Sequence, residues 1–187
     1  MITILDPNTA LVLIDLQNGT LQMDLAVPAS HILENAAKLI EAFRKAELPV
    51  VVVNVNPAGA VSGKVRKAVN VTMPPGFNED WFKIHPQIKT RPDDIFITKQ
   101  TWNAFYETAL DEELKKRNIT QIVLAGVATS IGVEGTARAA NERGYNIAFA
   151  QDAMTDRMAE AHENSLKYIF PRIGEIGNTM EIIEKLG

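Results

Sequence analysis

Five short apolar runs, separated by stretches of a different period, constrain this chain more than any other feature. Ala10–Ile14, Pro49–Val53, Ile95–Thr98, Ile122–Ala125 and Ile147–Ala150 are four or five residues long and nearly continuous in aliphatic and aromatic residues. Strands buried on both faces read this way, because neither face can be given to water. Between the runs, apolar residues recur at helical spacing. Ser30–Ala46 carries Ile32, Leu33, Ala36, Leu39, Ile40 and Phe43 at i, i+3, i+4 positions, and helices are expected over Tyr106–Arg117, Ile131–Arg143 and Ala159–Ile169. A short last strand is expected around Gly174–Ile176, ahead of a C-terminal helix Thr179–Leu186. Strand and helix in alternation predict a right-handed, doubly wound α/β domain with a parallel sheet covered by helices.

One stretch breaks the rhythm. Residues 56–91 hold Gly59, Gly63, Pro74, Pro75, Gly76 and Pro86 with no sustained period. So long a connection in a compact domain is more often functional than idle, and it is expected to border the site, with a helical piece at Ser62–Val69. The 187 residues suit one domain, 1–187, with no repeat or linker to divide them.

Composition removes several function classes. A net charge of −4 with no basic run argues against a nucleic-acid partner. No apolar stretch reaches the roughly 18–20 residues of a membrane span, and no basic region opens an export signal. A cytoplasmic protein acting on a small-molecule substrate is therefore expected. The chain contains no cysteine, which removes disulfides, zinc–thiolate sites and thiol catalysis.

Two charges stand at strand ends. Asp15 follows the run LVLI and Lys99 follows IFIT, so both are expected at the carboxyl edge of the sheet, where ligands bind in open α/β folds. Taken singly, Asp15 could be a turn cap and Lys99 an exposed surface lysine. Together each supplies a partner for the other. Gln17 and Asn18 follow as polar groups able to orient a ligand or shape the turn. Trp81, Trp102 and Phe105 could wall a pocket for a ring-bearing substrate or belong to the core.

The histidines His31, His85 and His162 have no ligand-like spacing, and Asn54 and Asn56 make a poor metal site, so no metal or cofactor is expected. IVLAGVATSIGVEGTAR (122–138) reads as strand, tight turn and helix, but contains neither phosphate-loop glycine pattern. Thr129 and Ser130 are its only hydroxyl nucleophile candidates, with no GxSxG elbow. Glu134 and Arg138, four apart on one helix face, read as a stabilising pair.

These residues give the chain a resemblance to the isochorismatase-like hydrolase superfamily, which includes nicotinamidases, N-carbamoylsarcosine amidases and isochorismatases. The resemblance rests on LVLIDLQNG, PDDIFITKQTWNAFYETAL and VLAGVATSIGVEGTARAANERGYNIAFAQDAMTD, in that order over nearly the whole chain. It implies a three-layer α/β/α fold with a doubly wound, six-stranded, mostly parallel sheet, and often a homo-oligomer. It also implies a site of Asp after the first strand, Lys after the third and Cys on the helix-initiating turn, at Asp15, Lys99 and Gly132. A cis peptide is implied at Val127–Ala128, with Ala128 and Gly132 inheriting the oxyanion positions and Thr129 beside them as a substrate contact.

Three departures narrow what the resemblance implies. Gly132 has no side chain to attack with, so thioester-forming amidase chemistry is set aside. Asn-Val-Asn stands after the second strand where many nicotinamidases carry metal ligands. The turn reads VATSI, where isochorismatases carry aromatic and histidine residues. Isochorismatases similarly carry Gly in place of Cys while keeping Asp and Lys, and they hydrolyse a vinyl ether without a covalent intermediate. By that likeness Asp15 is the general acid, Lys99 its electrostatic partner, and Gly132 leaves room for the substrate ring. An ordinary Asp, with a pKa of about 3.9, would be ionised at pH 7 and Lys99 would hold it lower still, so substrate would have to raise it. A catalytically silent ligand-binding protein on the same scaffold, or a hydrolase using Thr129, Ser130 or an activated water, stands as the alternative.

Overall fold

A computed structural model describes residues 1–56 and 79–186 of the protein. Its centre is a six-stranded sheet in the order β3-β2-β1-β4-β5-β6, with every neighbouring pair parallel. The strands are β1 (Thr9–Ile14), β2 (Val50–Val55), β3 (Ile95–Lys99), β4 (Gln121–Val127), β5 (Asn146–Thr155) and β6 (Glu175–Gly177). The helices are α1 (Asn18–Leu21), α2 (Ala29–Lys45), α3 (Leu110–Lys116), α4 (Glu134–Glu142), α5 (Ala159–Asn164) and α6 (Thr179–Lys185).

The chain winds outward from β1 through β2 to β3, then returns to lay β4 on the other side of β1. The direction of winding therefore reverses between β1 and β4, a topology that sets a crevice at the carboxyl ends of those two strands. That switch point is where open α/β sheets hold ligands.

Period-two alternation sorts the core into two halves. Ala10, Val12 and Ile14 face Leu110 and Leu114 of α3 and Ala137 and Ala140 of α4. Leu11 and Leu13 face Ile32, Leu39 and Phe43 of α2 and Ile182 of α6. Every residue of β1 and β4 is buried, as continuous apolar runs require. In α2 the apolar stripe turns inward, and Arg44 and Lys45 occupy the last turn, where cations suit the helix dipole.

Several elements depart from expectation. β3 is an edge strand whose residues alternate, and Phe96 is 54% exposed, so it is not buried on both faces. The helix expected from Tyr106 begins only at Leu110. Glu107 has φ +53, a left-handed conformation no helix accommodates, and the Thr108 hydroxyl donates to the Ala104 carbonyl instead. The helix expected from Ile131 opens as a π-helical turn, Thr129–Val133, ahead of α4, while β5 runs on to Thr155. The single turn of α1 was not expected; the Gln17 backbone N–H donates to the Thr20 hydroxyl to hold it. The expected helix Ser62–Val69 lies outside the described residues. Among the described residues no helix is long and apolar enough to cross a membrane.

Candidate functional site at the switch point

Asp15 begins the crevice. It leaves β1 with φ +51, a left-handed conformation that Asp tolerates better than most residues. Three hydrogen bonds fix it there: its N–H donates to the Val53 carbonyl at 2.9 Å, and its own carbonyl accepts from the Gln17 N–H and the Thr20 hydroxyl. The residue is only 5% exposed.

Lys99 reaches it from the edge of the sheet. Strands lie about 4.8 Å apart, so the ammonium must cross β2 to meet a group beyond β1. It does so wholly within the protein, 2% exposed, with Nζ 2.6 Å from Asp15 Oδ2 and 3.1 Å from the Thr101 carbonyl. The second oxygen, Asp15 Oδ1, is also buried and accepts no hydrogen bond among the described residues.

Burial decides the protonation of this pair. It pushes the Asp15 carboxyl up to about 6, with the Lys99 charge and hydrogen bond pulling back only part of the way. This corrects the expectation that Lys99 holds the carboxyl below its ordinary range. Desolvation outweighs attraction because both charges have left water.

Gly132 stands opposite. A Cβ at this position would lie 2.9 Å from Ile14 Cγ2, 3.3 Å from Asp15 Oδ2 and 3.5 Å from the Val127 carbonyl oxygen. The room expected at Gly132 for a substrate ring is therefore already taken at the Cβ position, chiefly by the Ile14 methyl. Gly132→Ala is expected to lower unfolding free energy by about 1–3 kcal/mol through overpacking, read from urea denaturation. An unchanged midpoint would show that Ile14 gives way freely.

The turn between β4 and α4 is held from behind. The Val127–Ala128 peptide is cis, as the resemblance implied. Asp156, 3% exposed at the end of β5, accepts from the Ser130 N–H and hydroxyl at 2.7 and 2.8 Å through Oδ2, and from the Arg157 and Met158 N–H groups through Oδ1. Thr129 is fully buried, and its hydroxyl lies 2.8 Å from His162 Nδ1. Burial holds His162 below its ordinary range. Both hydroxyls are thus engaged in building the turn. Asp156 was not singled out from the sequence, since nothing local marks the terminal Asp of AMTD as a turn anchor.

The other expected ligand contacts separate into two groups. Trp81 is brought to the loop that follows Asp15. Its indole lies on Gly19, where any Cβ would fall 2.0 Å from the ring. Asn18 N–H donates to the Lys83 carbonyl and His85 N–H to the Leu16 carbonyl, stitching Trp81's segment to that loop. Ala128 lies half-buried on the turn itself. Gln17, by contrast, is used internally: its amide donates to the Val55 and Phe82 carbonyls and accepts from the Val55 N–H. Phe105 is a core residue, 5% exposed and stacked on Tyr145 with centroids 5.9 Å apart. Trp102 is 65% exposed, with its Cβ 3.5 Å from where a Gly135 Cβ would be. Glu134 and Arg138 pair as expected at 2.9 Å. Among the described residues no three His, Cys, Asp or Glu side chains are grouped to hold a metal ion.

Comparison with known proteins agrees with this frame. An Isochorismatase domain profile matches residues 9–181. The chain is 39% identical to the uncharacterised isochorismatase-family protein YwoC of Bacillus subtilis (strain 168), over 95% of this chain and 94% of that one. It superposes on an isochorismatase-family protein from Burkholderia thailandensis with a TM-score of 0.91 at 38% identity, covering 98% and 97% of the two chains. N-carbamoylsarcosine amidase from Thermoplasma acidophilum superposes with a TM-score of 0.74 at 27% identity, covering 92% and 96%. Sheet order, switch-point residues and these likenesses together place the chain in the isochorismatase family of hydrolases.

Proposed function

We propose that the protein hydrolyses a small anionic vinyl ether without a covalent intermediate, with Asp15 as general acid and Lys99 as its electrostatic partner. One observation carries this reading: a buried carboxyl pushed up to about 6, with one oxygen bound to Lys99 and the other unpartnered among the described residues. A general acid works best when its pKa lies near the working pH. Burial alone would make Asp15 too weak an acid and Lys99 alone too strong; the two opposing effects poise it between.

The step balances without a nucleophilic side chain. Protonated Asp15 delivers its proton to the terminal carbon of the enol ether, and the electron pair of the double bond forms the new C–H bond. The adjacent carbon becomes an oxocarbenium ion, while Lys99 stabilises the carboxylate left behind. Water adds to that carbon, returning a proton to Asp15, and the hemiketal collapses to a ketone and an alcohol. Gly132 supports this reading because the fold's thiol position holds only hydrogen. Ala128, half-buried on the turn before Gly132, is a candidate substrate contact in this reading.

The test is release of pyruvate from isochorismate and from simpler carboxylated vinyl ethers, with an amide panel beside them. kcat/KM is expected to fall as pH rises through about 6, because the proton donor of the free enzyme is lost as Asp15 ionises. Turnover that instead rises through that range would reverse Asp15's role to base. Absence of turnover on both panels, with ligand binding retained, would favour the silent scaffold. Stability follows the same group. Between pH 3.8 and about 6 the folded state binds a proton the unfolded state has lost, so unfolding free energy falls as pH rises through that window. Asp15→Asn should remove this slope.

A further inference from the structure

At the amino end of the sheet, α2 and the segment before β3 border a cleft of about 530 Å³. α2 returns antiparallel to β1, so its last turn lies at the amino ends of the strands, a full strand length from Asp15. Four cations line the cleft, Arg44, Lys45, Lys89 and Arg91, against the single carboxylate of Glu41. In a chain of net charge −4 this is a local reversal of sign.

The arrangement is held in place. Arg44 is clamped by Asp94, whose two carboxylate oxygens both accept from Nη2 at 3.0 and 2.7 Å. Its Nε is left buried with no acceptor among the described residues. Only two buried side-chain polar atoms are orphaned among the described residues, and the other is Asp15 Oδ1 in the candidate site. A buried donor without an acceptor is destabilising unless a ligand or solvent group meets it. Lys45 and Arg91 make no side-chain hydrogen bond or ion pair among the described residues, so their charges are available. Arg91 is positioned through its backbone N–H, which donates to Asp94 Oδ2 at 2.6 Å. A second cleft shares Arg44 and Arg91 but is lined also by Glu47, Asp93 and Asp94, so the cationic character belongs to the first.

We infer that this cleft binds a phosphorylated small molecule, with its phosphoryl oxygens among Arg44, Lys45, Lys89 and Arg91. The volume is that of a small-metabolite site. With Arg44 committed to Asp94, the Arg91 guanidinium fork and the Lys45 and Lys89 ammonium groups remain to meet a multiply charged, many-acceptor group better than a lone carboxylate. Ala37 and Ile40 give the carbon portion an apolar floor.

Inorganic pyrophosphate is the probe, titrated at constant ionic strength by calorimetry and by backbone amide NMR. Saturable binding is expected, with the shifted resonances concentrated at Arg44–Lys45 and Gln87–Arg91. The double variant Lys89→Ala/Arg91→Ala removes only exposed side chains and should fold; its Kd is expected to rise about tenfold or more, the scale of a lost charge-assisted contact. Lys167→Ala, on the far face, should leave Kd unchanged. Failure to saturate, equal weakening by Lys167→Ala, or shifts centred on Asp15 would each overturn the proposal.

Discussion

Asp15→Asn is expected to reduce kcat on a turned-over vinyl ether by about 10²–10⁴-fold, the range a positioned proton donor supplies. Asn keeps the shape of the side chain but holds no proton acidic enough to transfer. It also leaves the Lys99 ammonium buried without its counter-charge, and breaking such a pair from one side typically destabilises by about 3–5 kcal/mol. A loss of activity could therefore reflect a loosened site. The double variant Asp15→Asn/Lys99→Met separates the two, since it removes the stranded charge: denaturant stability should recover while turnover does not. Recovery of both together would show that the pair is structural.

The second large effect is on folding. Gly126→Ala places a Cβ 2.1 Å from the Ile14 carbonyl oxygen and 2.7 Å from its amide nitrogen, at φ +126. Neither neighbour is the movable end of a side chain. Both belong to the backbone of β1, paired in register with Gly126 itself. Relief would require the central strands to separate, so a loss above about 4 kcal/mol is expected, in the range reserved for severe backbone conflict. Failure to recover soluble folded protein, or a collapsed urea midpoint, is the readout. A near-native midpoint would show that β4 can shift past Ile14. Gly132, six residues on, meets a methyl group as its nearest neighbour, and its substitution costs less for that reason.

The frame of the molecule was legible because its central strands are buried on both faces, and continuous apolar runs report that directly. β3 was misread where the same inference fails: Phe96 is apolar but lies on the uncovered side of an edge strand. The start of α3 was misplaced because Glu107 adopts a left-handed conformation that residue type does not announce. Asp15 and Lys99 were found because both end apolar runs. Their depth was not, since burial arises only when the returning β4 and α4 close over β1. Hence the direction of the Asp15 shift could not be read from charge alone. Gln17, Phe105 and Trp102 have types suited equally to core, surface and ligand, and only contacts distant in sequence assign them. Asp156 escaped for the converse reason, because the turn it anchors lies 26 residues earlier in the chain.

The Ile14 methyl against Gly132 decides how a thiol could be built into this site. A cysteine placed at 132 alone would set its Cβ 2.9 Å from Ile14 Cγ2. Pairing it with Ile14→Val would not help, since valine keeps a methyl at that branch. Ile14→Ala removes the methyl, so engineering a nucleophile here means trimming the central strand as well as the turn.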